Sequence, residues 1–172
     1  MLMGAQEWVR ALQLQPHPEG GYFAEVYRAS GSIPASVLPP EFAGGDRAYS
    51  TSIYFLLRSG ERSLLHQIAS DEVWHFYTGS RLTLHVIYPD GAYQRLPLGI
   101  NVDAGDRLQQ VVPAMTWFGA TVNDPDSFSL VGCTVAPGFD FRDFRLANRY
   151  DLQQQFPQHA DLIAQLTPAP KR

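Results

Sequence analysis

The stretch Gly60-Glu61-Arg62-Ser63-Leu64-Leu65-His66-Gln67-Ile68-Ala69-Ser70-Asp71-Glu72-Val73-Trp74-His75-Phe76-Tyr77-Thr78-Gly79 decides the fold. Short apolar-rich runs at 64–68 and 72–77 flank a Ser70-Asp71 turn, the pattern of two successive β-strands. Side chains alternate between faces along a strand. His66 and Ile68 therefore share a face of the first run, and Glu72, Trp74 and Phe76 share a face of the second. With the two strands as hairpin partners or neighbours on one barrel wall, His66 and Glu72 look into the same aromatic-lined cavity. A histidine and a carboxylate so placed can ligate a metal or form an acid/base pair. A buried carboxylate without a partner is costly, so Glu72 calls for one, with His66, Arg28 and Arg47 as candidates.

Outward from this pair the chain stays β-rich. Runs at 22–27, 50–57, 82–88, 93–96, 106–112, 116–122 and 128–135 read as further strands, and Asp90-Gly91 marks a hairpin turn. Many short strands with frequent turns predict an all-β sandwich, jelly roll or barrel. Residues 5–14 predict a short amphipathic helix with Trp8, Ala11 and Leu12 on one face. Pro16-His17-Pro18-Glu19-Gly20-Gly21 stops it. Residues 29–47 form a long Pro-, Ser- and Gly-rich connection, either a functional loop or a carrier of short strands. Near the end, 148–155 and 157–166 predict helices, the second with Leu162, Ile163 and Leu166 as its apolar stripe. Phe139, Phe141 and Phe144 lie in a segment expected to cover the barrel, and residues 167–172 are expected to fray.

Composition narrows the function classes. The 172 residues include 10 Phe, 8 Tyr and 3 Trp, with 45% apolar and only 17% charged residues, which excludes wholesale disorder. The 14 Gly and 13 Pro favour many turns over long helices. The net charge is -4, and the only adjacent basic pair is Lys171-Arg172, so nucleic acid is not an expected partner. The single cysteine, Cys133, rules out an internal disulfide framework and reads as a buried small hydrophobe or, alternatively, a reactive thiol. No apolar stretch is long enough for a transmembrane helix and no signal peptide is visible, so a cytoplasmic protein without a membrane partner is expected.

The quoted stretch resembles the first motif of the cupins, with Gly60, His66, Glu72 and Gly79 on that motif's spacing and Ile68 in the place of its second histidine. Residues 105–122 resemble the second motif with a longer first gap: Pro113 fits, while Met115, Phe118 and Val122 replace its glycine, histidine and asparagine. His17-Pro18-Glu19-Gly20-Gly21-Tyr22-Phe23, Ser70-Asp71-Glu72-Val73-Trp74-His75-Phe76-Tyr77, Val111-Val112-Pro113-Ala114-Met115-Thr116-Trp117-Phe118 and Val135-Ala136-Pro137-Gly138-Phe139 resemble the uncharacterised cupin family DUF985, or Cupin_5, over roughly residues 7–166. The resemblance implies a single cupin domain over residues 1–172: a jelly-roll β-barrel at about 20–138, a covering segment and helices at about 139–166, and short helices at both ends. It further implies a homodimer. The cupin metal set of three histidines and a glutamate is reduced to His66 and Glu72, so no cofactor is required and only weak divalent metal binding is expected, with Glu25 as the third ligand if it enters from the first strand.

The candidate site then reads as follows. His66 is a general base on a sugar-like or carbonyl substrate, or a histidine bonded inside the core. Glu72 orients His66 or binds a hydroxyl, or it is a structural ion pair. Tyr54 or Tyr77 is the candidate acid on the opposite face. Trp74 and Phe76 share parity with Glu72 and line the pocket, and Trp117 and Phe118 are further aromatic candidates, Phe118 narrowing the cavity. Arg28 and Arg47 frame the long loop; Arg47 is placed to hold an anionic group or to form a salt bridge with Asp46 or Glu41. Strand parity sends His75 away from the cavity. These residues support a small-molecule-binding cupin, read as a metal-independent isomerase or epimerase. The alternatives are a non-catalytic metabolite-binding or sensor module and a metal-dependent cupin enzyme with a depleted ligand set.

Overall fold

In a computed structural model describing residues 3–42 and 44–169, alternating apolar side chains draw the strands into two large sheets and one small ribbon. In chain order the elements are α1 (Ala5–Ala11), β1 (Gln15–Pro16), β2 (Tyr22–Arg28), β3 (Ser32–Ile33), β4 (Arg47–Ala48), β5 (Thr51–Arg58), β6 (Arg62–Gln67), β7 (Asp71–Gly79), β8 (Leu82–Ile87), β9 (Tyr93–Leu98), β10 (Gln109–Val112), β11 (Trp117–Val122), β12 (Phe128–Ala136), β13 (Arg145–Leu146), α2 (Arg149–Gln155) and α3 (Ala160–Gln165). One sheet runs β1-β2-β5-β12-β7-β10, the other β13-β6-β11-β8-β9, and β3 pairs with β4 inside the long connection. Lys171-Arg172 lie outside the described residues.

The expected closed barrel is corrected by this topology. The two sheets are open and remain separate, as in a sandwich, and share one core. Phe55, Leu57, Trp74, Val131 and Cys133 of the first meet Leu82, Leu84, Val86, Phe118 and Ala120 of the second. Two features keep the sheets apart. The edge strands β1 and β13 have two residues each, and Pro16 brings no N–H to the ladder. At the other side β9 leads into residues 99–108, where a single bridge, Leu98 to Arg107, replaces a continuous ladder.

A second correction concerns β6 and β7. They are not hairpin partners or neighbours on one wall, because β6 belongs to the five-stranded sheet and β7 to the six-stranded one. The 68–70 corner carries the chain across the sandwich, so His66 and Glu72 reach the interior from opposite sheets.

The ends close the fold. On the outer face of the five-stranded sheet, α2 and α3 bury Leu152, Ile163 and Leu166 against Leu65 and Ile87. The side-chain oxygen of Asn148 caps α2 by accepting from the Asp151 N–H at 3.1 Å. Thr167 is buried rather than frayed, its hydroxyl donating to the Ile163 carbonyl at 2.5 Å and its carbonyl accepting from Arg149 at 2.8 Å. The first helix packs Trp8, Val9 and Leu12 near Leu56 and Leu130 on the outer face of the six-stranded sheet. No helix among the described residues is long and apolar enough to cross a membrane.

Candidate functional site

At one end of the sandwich interior lies a cavity of about 250 Å³. Its deep polar groups are His17, Glu19, His66, Glu72 and Cys133, its walls include Phe23, Phe55, Ile68 and Trp74, and Glu25, Arg28, Asp140 and Phe141 line it as well.

The 17–21 turn delivers a residue that the sequence reading did not single out as a site residue, Glu19. The turn is closed by the His17 N–H donating to the Gly21 carbonyl at 3.0 Å and the Gly20 N–H donating to the His17 carbonyl at 3.0 Å. It is tied to β6 by the Leu64 N–H donating to the Glu19 carbonyl at 2.8 Å. Gly20 and Gly21 have φ of 107° and 71°, and a Cβ on Gly20 would run into the Arg62 carbonyl. Glycine thus lets the turn press against the sheet and lower Glu19 into the interior, where it is only 5% exposed.

The Glu19 carboxyl is held by Ser63 and His66, with His17 alongside, whose Nδ1 accepts from the Glu19 backbone N–H at 3.3 Å. Ser63 Oγ donates to Oε1 at 2.7 Å, His66 Nε2 stands 3.1 Å from Oε2, and His17 Nδ1 is 3.4 Å from the same oxygen. His66 Nδ1 is 2.7 Å from the Leu64 carbonyl, which can only accept, so Nδ1 carries the hydrogen and the neutral ring offers Nε2 as an acceptor. Burial raises the Glu19 pKa to about 7, while His17 and the Ser63 hydrogen bond pull it partly back. Burial lowers the His66 pKa, opposed by Glu72 and by the Leu64 bond. Burial also lowers that of His17. Together these directions favour a neutral pair in which protonated Glu19 donates to His66 Nε2.

Glu72 faces the same interior from β7. Burial raises its pKa to about 7, with His66 lowering it and Glu19 raising it further. The Trp74 indole N–H and the Cys133 thiol favour the carboxylate, yet Trp74 Nε1 is buried without a hydrogen-bond partner. Cys133 is buried and its thiol is pushed well above its ordinary pKa, chiefly by burial and then by Glu72, the setting of an inert thiol.

His66, Glu72 and Trp74 are therefore brought together. Phe118 packs its ring 4.1 Å from the His66 ring, and Phe76 lies in the core beyond the cavity lining. Glu25 and Arg28 sit at the exposed rim and bind each other through Nη2 and Oε2 at 2.6 Å. Tyr54 and Tyr77 pair with each other at 5.9 Å beside Trp8 and Leu12, on the sheet face away from His66. Trp117 packs with the α2–α3 cluster under Arg145. Arg47 is buried away from the cavity and binds Asp143 through Nε and Nη2, both at 2.6 Å, rather than Asp46 or Glu41 side chains. His75 bonds Thr134 and Gln109 on the outer face, in keeping with strand parity.

Among the described residues no three His, Cys, Asp or Glu side chains form a metal-binding group. Both His66 nitrogens are engaged, Nδ1 with Leu64 and Nε2 with Glu19, and the Ile68 side chain lines the cavity where a second histidine would stand.

Comparison with known proteins agrees with this architecture. Protein SO0799 of Shewanella oneidensis superposes with a TM-score of 0.87 at 38% identity, covering 97% of this chain and 99% of that one. A hypothetical protein from Leishmania major superposes with a TM-score of 0.89 at 37% identity, covering 97% and 100%. The uncharacterized protein YML079W of Saccharomyces cerevisiae is 27% identical over 146 residues, 80% of this chain and 72% of the yeast protein. Residues 6–147 match the family model Cupin_5, described as Cupin superfamily (DUF985), and the chain belongs to that family.

Proposed function

We propose that the cavity binds a small carbonyl-bearing metabolite and moves a proton on it without a metal, as an isomerase or epimerase does. The observation that carries this reading is the convergence of three buried proton-exchanging groups, Glu19, His66 and Glu72, in one cavity, with both carboxyls held near neutral pH. Acid/base catalysis is most effective when the pKa of the group lies near the working pH. Two such groups in one site supply an acid and a base together.

In the proposed step the Glu72 carboxylate takes the proton from the carbon next to the carbonyl. The C–H electron pair forms the carbon–carbon double bond, and the carbonyl π electrons move to oxygen. The Glu19–His66 pair returns a proton to the same carbon from its other side, and the carbonyl re-forms. Glu72 ends with one proton more and the pair with one fewer, and exchange with solvent resets them. His66 holds Glu19 rather than acting as the sole base, and the pair takes the role of second acid that Tyr54 and Tyr77 are too distant to fill.

The test is ¹H NMR of aldoses, ketoses, hydroxy-carbonyl compounds and 2-oxo acids incubated with the protein in D₂O. Loss of an α-proton signal is expected for at least one compound, slowed about 100-fold or more in Glu72→Gln. Compounds that bind without any exchange above buffer would overturn the catalytic reading and leave a binding module.

A further inference from the structure

The charge inventory of the cavity selects among ligands, resting on the reading of this cavity as the functional site. Four carboxyls line it: Glu19 and Glu72 deep, Glu25 and Asp140 beside Arg28. Arg28 is the only Lys or Arg side chain on its described lining, and its guanidinium is already committed. Nε donates to Glu25 Oε1 at 3.0 Å, Nη2 donates to Glu25 Oε2 at 2.6 Å, and Nη1 donates to the Phe139 carbonyl at 3.2 Å. Arg47, the other arginine of the long loop, is held by Asp143 outside the cavity. A phosphate or carboxylate would thus enter beside buried carboxyls with no uncommitted guanidinium to meet it, and such a charge is costly to bury unpaired.

A cation meets the opposite situation. Its charge would compensate that of the Glu72 carboxylate, and the aromatic faces of Phe23, Phe55 and Trp74 add attraction for it. One further donor bears on the ligand: Trp74 Nε1, on a side chain 1% exposed, is turned toward the Glu72 carboxyl but makes no hydrogen bond of good geometry with it. Buried donors are rarely left unmade, so an oxygen on the ligand would complete it. The volume of about 250 Å³ falls below the usual range for drug-sized ligands, which leaves room for a metabolite but not for a nucleotide conjugate.

We infer that the ligand is a small amine with a neighbouring carbonyl or hydroxyl oxygen, its ammonium balanced by the buried Glu72 carboxylate and its oxygen accepting from Trp74 Nε1.

Isothermal titration at pH 7 with matched series tests this: 2-aminoethanol, ethylene glycol and glycolate; D-glucosamine, D-glucose and D-glucuronate. In at least one series the amine is expected to bind about tenfold or more tighter than its neutral analogue, and the anion more weakly still. Because the amine draws Glu72 into its charged form, its binding should release protons, seen as heats that vary with buffer ionisation. Besides Glu19 and Glu72, the groups facing this change are His17, His66 and Cys133 in the interior and Glu25, Arg28 and Asp140 on the remaining lining. Glu72→Gln should abolish the preference for the amine. Trp74→Phe, which keeps a ring and loses the N–H, should weaken amine and neutral analogue alike by about tenfold. Anions binding as well as amines, equal affinity across every series, or an amine preference that survives Glu72→Gln in a folded protein would overturn the inference. Deuterium exchange is read separately: exchange without amine preference defeats this inference alone, and amine preference without exchange defeats the catalytic reading alone.

Discussion

Glu19 and His66 meet at 3.1 Å between Oε2 and Nε2, although one comes from the turn before β2 and the other from the middle of β6. Ser63 on the carboxyl and the Leu64 carbonyl on the ring fix the geometry from both ends. Replacing Glu19 by Gln preserves this network, since an amide oxygen accepts from Ser63 and an amide N–H donates to His66 Nε2. Glu19→Gln should therefore melt close to the parent while losing proton exchange on substrate. Glu19→Ala leaves Ser63 Oγ and His66 Nε2 buried without partners and should lose about 1–3 kcal/mol in urea unfolding. Equal exchange in Glu19→Gln and the parent would remove Glu19 from the chemistry.

Stability should carry the signature of Glu72. Its pKa rises from an ordinary 4.5 to about 7 on folding, so the folded state holds the proton more tightly than the unfolded chain. The favourable contribution is complete below about pH 4.5 and is lost as pH rises through about 7. Glu72→Gln removes this dependence. The stability of the variant relative to the parent should climb between pH 5 and pH 8, by up to about 3 kcal/mol. His17 and His66, whose pKa values are lowered, act in the opposite direction in both proteins, so the comparison is between variant and parent at each pH. A flat difference across that range, measured by urea unfolding, would contradict the assignment.

Arg47 should matter to the fold rather than to the ligand. Arg47→Met takes the Arg47 ion pair from Asp143, whose side chain is only 5% exposed, and removing one partner of a buried ion pair commonly costs about 3–5 kcal/mol. Adding Asp143→Asn to Arg47→Met should recover part of that loss. Ligand affinity of the folded variants, measured by titration, should stay within about twofold of the parent. A large selective loss of affinity with unchanged stability would return Arg47 to the binding site.

Tyr54→Phe and Tyr77→Phe probe the opposite face of the six-stranded sheet. Both rings lie beside Trp8 and Leu12, separated from His66 by the sheet itself. Each variant should alter stability by less than about 0.5 kcal/mol and leave the exchange rate unchanged. A slowed exchange in either would place a tyrosine in the proton path.

The differences between sequence and structure have physical causes. Period-two alternation placed His66, Glu72 and Trp74 inward and His75 outward, because the pleat forces that alternation whatever the sheet topology. It did not reveal that β6 and β7 belong to different sheets, since a corner at 68–70 and a hairpin turn have the same length and polarity. Closure of the sheets was likewise invisible, being decided by two-residue edge strands too short for a periodic signal. Glu19 was passed over because His17-Pro18-Glu19-Gly20-Gly21 reads as a helix stop. The signal was there in an ionisable residue between Pro18 and two glycines, the composition of a turn pressed tightly against another backbone. Arg47 misled because a loop arginine is usually solvated, and only the fold shows Asp143, 96 residues away, enclosing it.

Two glutamates poised in one cavity to exchange protons near neutrality should be visible in a ¹³C NMR titration of the carboxyls. The chain has six glutamates, so the resonances can be assigned one by one with single Gln substitutions. Two carboxyls should titrate near pH 7, one lost in Glu19→Gln and the other in Glu72→Gln. All six titrating below about pH 5, the ordinary range for exposed glutamate, would contradict the account.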